Sequence, residues 1–519
     1  MVGGLIQLAA YGSEDLYLTG NPQITFFKMV YRRHTNFAME NIEQQFEGAG
    51  GNLEFSRDAI PRTLRCKIPK DGDLISNMYF GMRVPNIFSY KSTREDNTFY
   101  YFYWSKFLAL NMVKSIHINV GNQEIDLHYS EWLHVYNELY NTAEQKKVFY
   151  RLIGHLEEMY NPRNSSGEYP ESLTTGNESP SIIERNVYIP LSFWFNLKPG
   201  LALPLIALDD KTSSVELKIV LNTIDEFYIL EKFDKTGLIR YKEKPVLTNP
   251  DHNILNFLVG NDASQVGWGL RPHLEINYIF LDKRERELFA RIEHDYLMEQ
   301  VIRREFLNID QQEFTLTLRN LYHPVKYIVL ILKRSDSASR NDHNNYTNWF
   351  DNSLNPLLRD TSEEFVLDYS GSRWLDTRSF NANPALRADT ITRDTHESYK
   401  RDIIKEAIIR INGMDRIKEK DGAYFNLLQK YQHNLESDDT GIYIYSFAIN
   451  PTSHEPSGSC NMSRVDTLEF KFTFLPLVEK TSRGAIKNRY TYDMNIYFVN
   501  YNIFRVMGGV ASLVFQSVS

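Results

Sequence analysis

The sequence predicts an all-β protein made of two large antiparallel units, each a β-sandwich or jelly roll. Several segments alternate apolar and polar residues with a period of two, which is typical of strands with one exposed face. Helical patterns are few, and long turn-rich stretches separate the regular elements. The chain has 519 residues. Because one sandwich or barrel often takes about 200–250 residues, two such units fill it.

Composition excludes several functional classes. The chain carries 58 Lys and Arg against 66 Asp and Glu, a formal charge of −8, whereas a sequence-independent nucleic-acid binder needs a basic surface. A hydrophobic content of 42% excludes wholesale disorder. Cys66 and Cys460 are the only cysteines, so we expect two reduced thiols rather than a disulfide framework. We see no secretion signal and no apolar run of about 18 residues, and therefore expect folding in the cytosol.

The clearest strand is Leu468–Phe474, in which apolar side chains alternate with Glu469, Lys471 and Thr473. The pair Gly121-Asn122 predicts a tight hairpin turn after one of the other strands. Two further runs are apolar almost throughout, which indicates strands buried on both faces. These strands are predicted within Leu274–Phe280, Phe314–Leu318, Ile116–Val120, Tyr327–Leu332 and Ile442–Phe447.

Three helices are predicted. The first places five apolar side chains on one face: Trp132, Val135, Tyr136, Leu139 and Tyr140. The second begins with a capping box at Thr142–Gln145 and ends near Gly154, which can adopt the left-handed conformation. The third begins at Asp282, with Glu285 three positions later, and is expected to continue to about Gln300. Its inward-facing side chains are predicted to be Leu288, Phe289, Ile292 and Tyr296.

Three long turn-rich stretches interrupt these elements, at residues 161–180, 232–271 and 335–387. Loops of this length are usually functional rather than simply connective. We place the domain boundary within residues 232–271, because strand and helix patterns resume sharply after it. The two halves show no repeat at the level of sequence.

The usual catalytic motifs are missing, so the sequence predicts no enzyme, no cofactor and no metal site. Neither a phosphate-binding GxxxxGK loop nor a GxSxG nucleophile motif is present. Asp71-Gly-Asp73 is interpreted as a turn. The neighbouring carboxylates Asp209 and Asp210 could suggest the acid/base pair of a glycosidase. Because adjacent residues on a strand point to opposite faces, we interpret them instead as solvated loop charges.

The most basic cluster consists of Lys28 and Arg32–His34. It could face phosphate or lipid head groups. The flanking Phe26-Phe27 and Met29-Val30 indicate strand core instead, which would make the cluster a charged strand end.

Ordered blocks across both halves closely resemble the major capsid proteins of nucleocytoplasmic large DNA viruses, the double jelly-roll family. The blocks are Gly4–Gly12, Asp15–Lys28, Tyr31–Phe37, Ile125–Leu133, Pro190–Phe195, Pro199–Leu208, Asn320–Lys326, Tyr424–Leu427, Gly441–Phe447, Pro456–Arg464, Asn500–Asn502 and Arg505–Gly508.

The resemblance implies two tandem eight-stranded antiparallel jelly rolls with short helices and long loop insertions. The expected division is an amino-terminal arm at 1–26, a first roll at 27–231, a linker or insertion at 232–271 and a second roll at 272–519. It further implies a structural protein of the virion, assembled in the host cytoplasm. Homotrimers with a pseudo-hexagonal outline would tile an icosahedral shell over an internal membrane.

The expected partners are neighbouring capsomers, penton proteins and minor capsid or cement proteins, with no direct contact to nucleic acid. The arm would lie beneath the rolls and touch neighbours or membrane. The helix that bears Trp132 and Tyr136, with Trp194 and Phe195, would wedge against the base of the first roll. The long loops would form outward towers.

Two matters remain open from the sequence. Four N-x-S/T sites are weak glycosylation candidates, expected to be chance matches in a cytosolic protein: Asn164, Asn177, Asn345 and Asn461. A lectin-like β-sandwich that binds carbohydrate is the alternative function, because it would also be rich in strands and aromatic residues.

Overall fold

The fold was analysed in a computed structural model. It describes residues 3–47, 62–89, 100–172, 179–233, 240–258, 270–348, 365–367, 373–376, 402–435, 437, 441–475, 479–480, 486–487 and 490–515.

The first half of the chain forms a jelly roll of two four-stranded antiparallel sheets that enclose one apolar core. In spatial order the first sheet is β1-β11-β3-β7 and the second is β2-β8-β5-β6. The strands are β1 (Phe37–Gln45), β2 (Thr63–Lys67), β3 (Leu74–Val84), β4 (Tyr100–Trp104), β5 (Val113–Val120), β6 (Gln123–Tyr129), β7 (Arg185–Pro190), β8 (Val215–Leu221), β9 (Tyr228–Phe233), β10 (Arg240–Glu243) and β11 (His273–Leu281).

The second half repeats this architecture. Its two principal sheets are β12-β24-β14-β19 and β13-β21-β17-β18, with β20 beside β14 and β25 beside β24. The strands are β12 (His294–Ile309), β13 (Glu313–Leu318), β14 (Pro324–Arg334), β15 (Phe365–Leu367), β16 (Arg373–Asp376), β17 (Ile404–Ile411), β18 (Met414–Asp421), β19 (Ile442–Ser446), β20 (Cys460–Asn461), β21 (Leu468–Phe474), β22 (Glu479–Lys480), β23 (Ile486–Lys487), β24 (Tyr492–Met507) and β25 (Val510–Leu513).

The two rolls share one strand order. When the eight principal strands of each roll are numbered in chain order, the first, eighth, third and sixth form one sheet, in that spatial order. The second, seventh, fourth and fifth form the other sheet. Strands β3 and β14 correspond to each other, and each contains 11 residues. The chain is therefore a structural duplication that its sequence does not display.

A fifth sheet joins the two halves of the chain outside the rolls. Its order is β15-β16-β10-β9-β4, so strands from the first half pair with strands from the second. Strands β22 and β23 form a separate two-stranded pair. Two of the turn-rich stretches therefore contain strands of their own: β10 lies within residues 232–271, and β15 and β16 lie within residues 335–387.

The helices are short and lie in the connections. They are α1 (Gly3–Ala9), α2 (Leu16–Thr19), α3 (Leu108–Met112), α4 (Ser130–Tyr140), α5 (Ala143–Leu152), α6 (Glu157–Tyr160), α7 (Trp194–Leu197), α8 (Lys283–Arg291) and α9 (Gln429–Gln432). A π-helical turn at Tyr424–Leu428 leads directly into α9. Short 3-10 turns occur at Pro199–Leu201, Leu205–Ala207, Ile224–Glu226, Pro250–His252, Ile254–Phe257, Ser335–Arg340 and Met462–Arg464.

Most of the local predictions are confirmed. Strand β21 alternates buried and half-buried residues along its whole length. Thr142 and Gln145 form the predicted capping box of α5. Gly154 follows the helix with φ +76°, and Gly121 turns the β5–β6 hairpin with φ +60°. These features depend on neighbours in sequence, which explains why the pattern was sufficient to find them.

The predicted helix after Asp282 ends earlier than its spacing indicates. The Asp282 side chain accepts a hydrogen bond from the Glu285 amide as expected, but the helix stops at Arg291. Leu288 and Ile292, predicted to point inward, are exposed. The following 16 residues form β12, because pairing along almost all of β24 outweighs local helical spacing.

Two predicted boundaries also differ from the structure. Strand β11 pairs with β1 and β3, so it belongs to the first roll rather than to a second roll that begins at residue 272. Ile254 and Leu270 lie in the same core, so the described parts of 232–271 belong to that roll as well. Phe26-Phe27 and Met29-Val30 are exposed and are not strand core, since the first strand begins at Phe37.

Candidate functional site

The two rolls meet along helix α4, which leaves the first roll and lies against the outer face of the second roll's sheet. Trp132, Val135 and Leu139 are buried there. They form one apolar cluster with side chains from three strands of the second roll, namely Tyr327, Val329, Ile331, Ile442, Ile444, Tyr497 and Val499. The helix, predicted to wedge against the base of the first roll, therefore lies between the two rolls, whereas Trp194 and Phe195 pack in the core of the first roll.

A buried ion pair anchors one end of this contact. The Glu131 carboxylate lies 2.7 Å from the Lys333 ammonium. It also accepts hydrogen bonds from Asn495 and Tyr497, each at 2.6 Å. Burial tends to raise the pKa of Glu131, but the Lys333 charge and these hydrogen bonds outweigh it and hold the pKa below its usual value. The carboxylate is thus a charged tether between the rolls.

Hydroxyl groups connect the other end of α4. The hydroxyls of Tyr140 and Tyr327 lie 2.7 Å apart, and Tyr140 also donates to the Pro451 carbonyl at 3.2 Å.

A buried ion pair lies next to these hydroxyls. The Lys326 ammonium is fully buried and lies 2.5 Å from Glu299. Burial lowers the pKa of Lys326 and raises that of Glu299. Each charge in this pair needs the other, because an unpaired buried charge is costly.

The end of the chain returns to the first roll and adds a second contact. The Asp209 amide donates to the Gly509 carbonyl at 2.8 Å. The Ala511 amide donates to the Ser213 hydroxyl at 3.2 Å. The Trp194 ring packs 5.0 Å from Phe504. Residues near the end of the chain therefore add to the contact that α4 makes between the rolls.

The amino-terminal segment is the other unusual surface. Between residues 3 and 36 it contributes nothing to the described apolar clusters, and its two helices bury no residue. Tyr17 is 94% exposed, Phe26 89% and Phe27 98%. The basic residues Lys28 and Arg32–His34 are exposed in the same segment. A concentration of exposed apolar side chains of this kind marks an interaction surface.

The sequon asparagines occupy different environments. Asn164 and Asn461 are exposed, and the side chain of each accepts backbone hydrogen bonds within its own turn. Asn345 is buried and donates to Asp342 at 2.9 Å. Asn177 lies outside the described residues.

Asp210, one of the two neighbouring carboxylates, and Asp73, of the predicted turn, take part in surface or linker contacts. Asp210 forms an ion pair with Lys70 at 3.1 Å. Asp73 pairs with Arg286 of α8 at 2.9 Å and accepts the Leu281 amide, so it fixes the connection between the rolls. Among the residues that the structure describes, no three His, Cys, Asp or Glu side chains are arranged to hold a metal. None of the described helices has the length and apolar character needed to cross a membrane.

Sequence reasoning missed the second-roll anchors of α4. Lys333 and Tyr497 lie far from α4 in sequence, and no local pattern links them to Glu131. It also missed the helix at residues 424–432, where Tyr424, Leu427, Leu428 and Tyr431 show helical spacing that could have revealed it.

Two tandem jelly rolls of one topology, joined by a buried wedge, define a structural building block of the double jelly-roll class. Two family models together match both rolls: the major capsid protein N-terminus over residues 25–282, and the large eukaryotic DNA virus major capsid protein over residues 285–512. The chain belongs to the major capsid protein family of large eukaryotic DNA viruses. It is accordingly a structural protein of the virion and not an enzyme.

Similar proteins match over the whole chain. It is 30% identical to the major capsid protein of Phaeocystis pouchetii virus and 28% identical to that of Paramecium bursaria Chlorella virus 1, with 100% of each chain covered. Among solved structures, PBCV-1 VP54 aligns with a TM-score of 0.64 at 24% identity, covering 95% of this chain and 100% of that one. The Faustovirus major capsid protein aligns with a TM-score of 0.61 at 12% identity, covering 97% and 96%.

Proposed function

We propose that three copies of this chain form a capsomer with a pseudo-hexagonal outline, and that such capsomers tile an icosahedral shell. The observation that carries the proposal is the duplication of one roll topology within one chain, whose two rolls share a buried apolar contact. Three copies of two similar rolls present six similar lobes. Threefold symmetry then gives near-sixfold packing, and a closed cyclic arrangement stops growth at three chains.

The duplication also suits repeated contacts in a shell. Each principal sheet lies within a closed two-sheet roll, which limits the edges available for uncontrolled strand pairing. We expect the trimer contacts to bury on the order of 2,000–5,000 Å², as in obligate oligomers. Contacts between trimers would be individually weaker, and the stability of the shell would come from their number.

The solution mass of the purified full chain tests the trimer. Light scattering coupled to size exclusion should give three times the chain mass of 60.8 kDa, and negative-stain images should show a six-lobed outline. A species of a single chain mass across micromolar concentrations would contradict the proposal.

A second part of the proposal concerns the amino-terminal arm, predicted at residues 1–26 and extended here to residue 36, because the first strand begins at Phe37. Its exposed aromatic and aliphatic side chains, together with Lys28 and Arg32–His34, suit a surface that is both apolar and anionic. The arm would contact the internal membrane, minor capsid or cement proteins, or neighbouring capsomers and pentons beneath the shell.

Vesicle flotation separates these partners. The full chain should float with vesicles that contain anionic lipid, whereas a variant that lacks residues 1–36 should remain at the bottom of the gradient. If both float equally, the arm does not bind lipid, and protein partners remain as its contacts. Imaging of infected cells would test the proposed assembly of shells in the host cytoplasm.

A further inference from the structure

The duplication allows the two rolls to be compared position by position. Strands β2 and β8 are the second and seventh principal strands of the first roll, and β13 and β21 hold the same places in the second roll. Lys67 pairs with Glu216 in the first roll, and Thr317 pairs with Glu469 in the second. When the strand pairs are aligned on these two glutamates, their residues correspond one to one.

The outward-facing residues of these strands form two strips. Leu64 and Leu316 point into the cores of their rolls, so the residues on either side of each point outward. The basic strip of the first roll consists of Thr63, Arg65, Lys67, Glu216, Lys218 and Val220, and the acidic strip of the second roll consists of Glu313, Thr315, Thr317, Glu469, Lys471 and Thr473.

The two strips differ in charge because β2 and β13 differ. Strands β8 and β21 each contribute one Glu and one Lys to their strip. Strand β13, however, has threonines where β2 has Arg65 and Lys67, and Glu313 where β2 has Thr63. The basic strip is therefore net positive and the acidic strip net negative. The outward residues of β2 and β13 are all exposed.

Ion pairs within each roll leave this contrast in place. The Arg65 guanidinium lies 3.5 Å from Glu216, and 59% of its side chain is exposed. Glu469 lies 3.2 Å from Arg410 of the neighbouring strand β17. Solvent-accessible pairs of this kind are weak, so their members can also interact with charges on another molecule.

Both strips face away from the contact that joins the rolls within a chain. Helix α4 covers the outer face of sheet β12-β24-β14-β19, so the acidic strip lies on the opposite side of the second roll. In the first roll, β6 approaches the second roll, since Gln300 donates to the Ile125 carbonyl at 2.6 Å. Strand β2 is at the other edge of that sheet. The two strips are thus accessible to other copies of the chain.

A shell of six-lobed capsomers would place the two strips opposite each other. In the proposed trimer the first and second rolls alternate around the outline. Opposite sides of a six-sided outline are three steps apart, so neighbours in the same orientation meet with a first roll against a second roll. Opposite charges on the two rolls favour this arrangement, whereas a neighbour turned by 60° would bring like charges together.

We propose that the basic strip of one capsomer binds the acidic strip of the next, and that this pairing sets the relative orientation of neighbouring capsomers. The inference rests on the proposed trimer and concerns contacts between trimers rather than within one. The partner is a second copy of this chain. Because exposed charges are screened by salt, each contact is weak, which suits reversible assembly.

Exchanging the outward residues of β2 and β13 tests the pairing. Two variants give both rolls of a chain the same sign: an acidified chain with Thr63→Glu/Arg65→Thr/Lys67→Thr, and a basified chain with Glu313→Thr/Thr315→Arg/Thr317→Lys. Association between purified capsomers, measured by light scattering at low salt, should be about tenfold weaker for either variant than for the wild type. The basified chain is the sharper test. It brings the net charge of −8 closer to zero, so general repulsion alone would make it associate more strongly.

Restoring opposite charges should restore association. A one-to-one mixture of the two variants, and a chain that carries all six substitutions, should each associate as the wild type does. Lys147→Glu/Lys283→Gln is the matched control for the acidified chain, because it lowers the net charge by the same amount at exposed helix positions; it should weaken association much less. In about 1 M salt, where the screening length is about 3 Å, the differences should disappear.

The possible failures are distinguishable. A monomeric wild type would overturn the trimer and this contact together. Wild-type and variant trimers that associate equally, or a mixture that associates no more strongly than either variant alone, would overturn the pairing of the strips and leave the capsomer intact. Trimer mass and thermal melts should be unchanged in every variant, which separates loss of this contact from loss of folding.

Discussion

Glu131 of the first roll and Lys333 of the second form an ion pair, with Oε1 and Nζ 2.7 Å apart. The carboxylate is on α4 and the ammonium is on β14, so the pair bridges the two halves of the chain. Because Asn495 and Tyr497 also donate to Glu131, one side chain links α4 to two strands of the second roll. The Glu131 carboxylate is therefore one of the contacts that join the two rolls.

Replacing Glu131 with Gln should lower the free energy of unfolding by about 3 kcal/mol, because Lys333 then loses its partner in a largely buried contact. Chemical denaturation measures the change. The double variant Glu131→Gln/Lys333→Met should recover part of the loss. Glu144→Gln is the control: its pair with Lys147 is exposed and should be worth less than about 1 kcal/mol. If Glu131→Gln and Glu144→Gln lowered the free energy of unfolding by the same amount, the Glu131–Lys333 pair would not be a buried tether between the rolls.

Trp132→Ala should also destabilise the protein strongly. The ring is buried and packs 5.3 Å from Tyr497 of the second roll, so its removal leaves a cavity that typically costs about 3–5 kcal/mol. Val148→Ala, on the exposed side of the next helix, should cost less than about 0.5 kcal/mol. A melting temperature for Trp132→Ala that matches the wild type would show that the wedge does not hold the rolls.

Stability should fall as the pH drops below neutrality. His134 is buried in α4, where its Nδ1 lies 3.1 Å from the Tyr346 hydroxyl. Burial lowers the pKa of His134 from 6.5 to about 4. Between these values the unfolded chain binds a proton that the folded chain does not, so stability is complete above about pH 6.5 and is lost progressively toward pH 4.

The histidines His155 and His343 should act in the same direction, because burial lowers the pKa of each to about 3. Melting temperatures measured from pH 7 to pH 4 should decline less steeply in His134→Gln than in the wild type. Identical slopes would mean that His134 binds protons equally in the folded and unfolded states, so that burial does not lower its pKa.

Removal of residues 1–36 should leave thermal stability unchanged. The segment buries no side chain in the described apolar clusters, and its apolar residues face solvent. Extending the deletion through Gln45 removes β1, which pairs with β11 along its full length. That longer variant should unfold at a clearly lower temperature. A large loss already in the shorter variant would show that the arm packs on the rolls.

Local patterns were sufficient to find much of the fold. Alternation located β21, and the spacing of Trp132 to Tyr140 located α4, because a strand or helix with one buried face repeats that face in its sequence. The same argument failed after Asp282, where helical spacing continues into β12. There the long ladder with β24 decides the conformation, and no local window contains the partner strand.

The sequence by itself determined that the protein is β-rich, consists of two large units and lacks a familiar catalytic motif, and its ordered blocks pointed to the capsid family. These properties follow from composition, periodicity and short motifs. Only the tertiary structure decided that β11 belongs to the first roll, that α4 lies between the rolls, and that Glu131 meets Lys333. The reason is physical: strand pairing and burial join residues from distant parts of the chain, and their energies depend on three-dimensional proximity that sequence spacing does not encode.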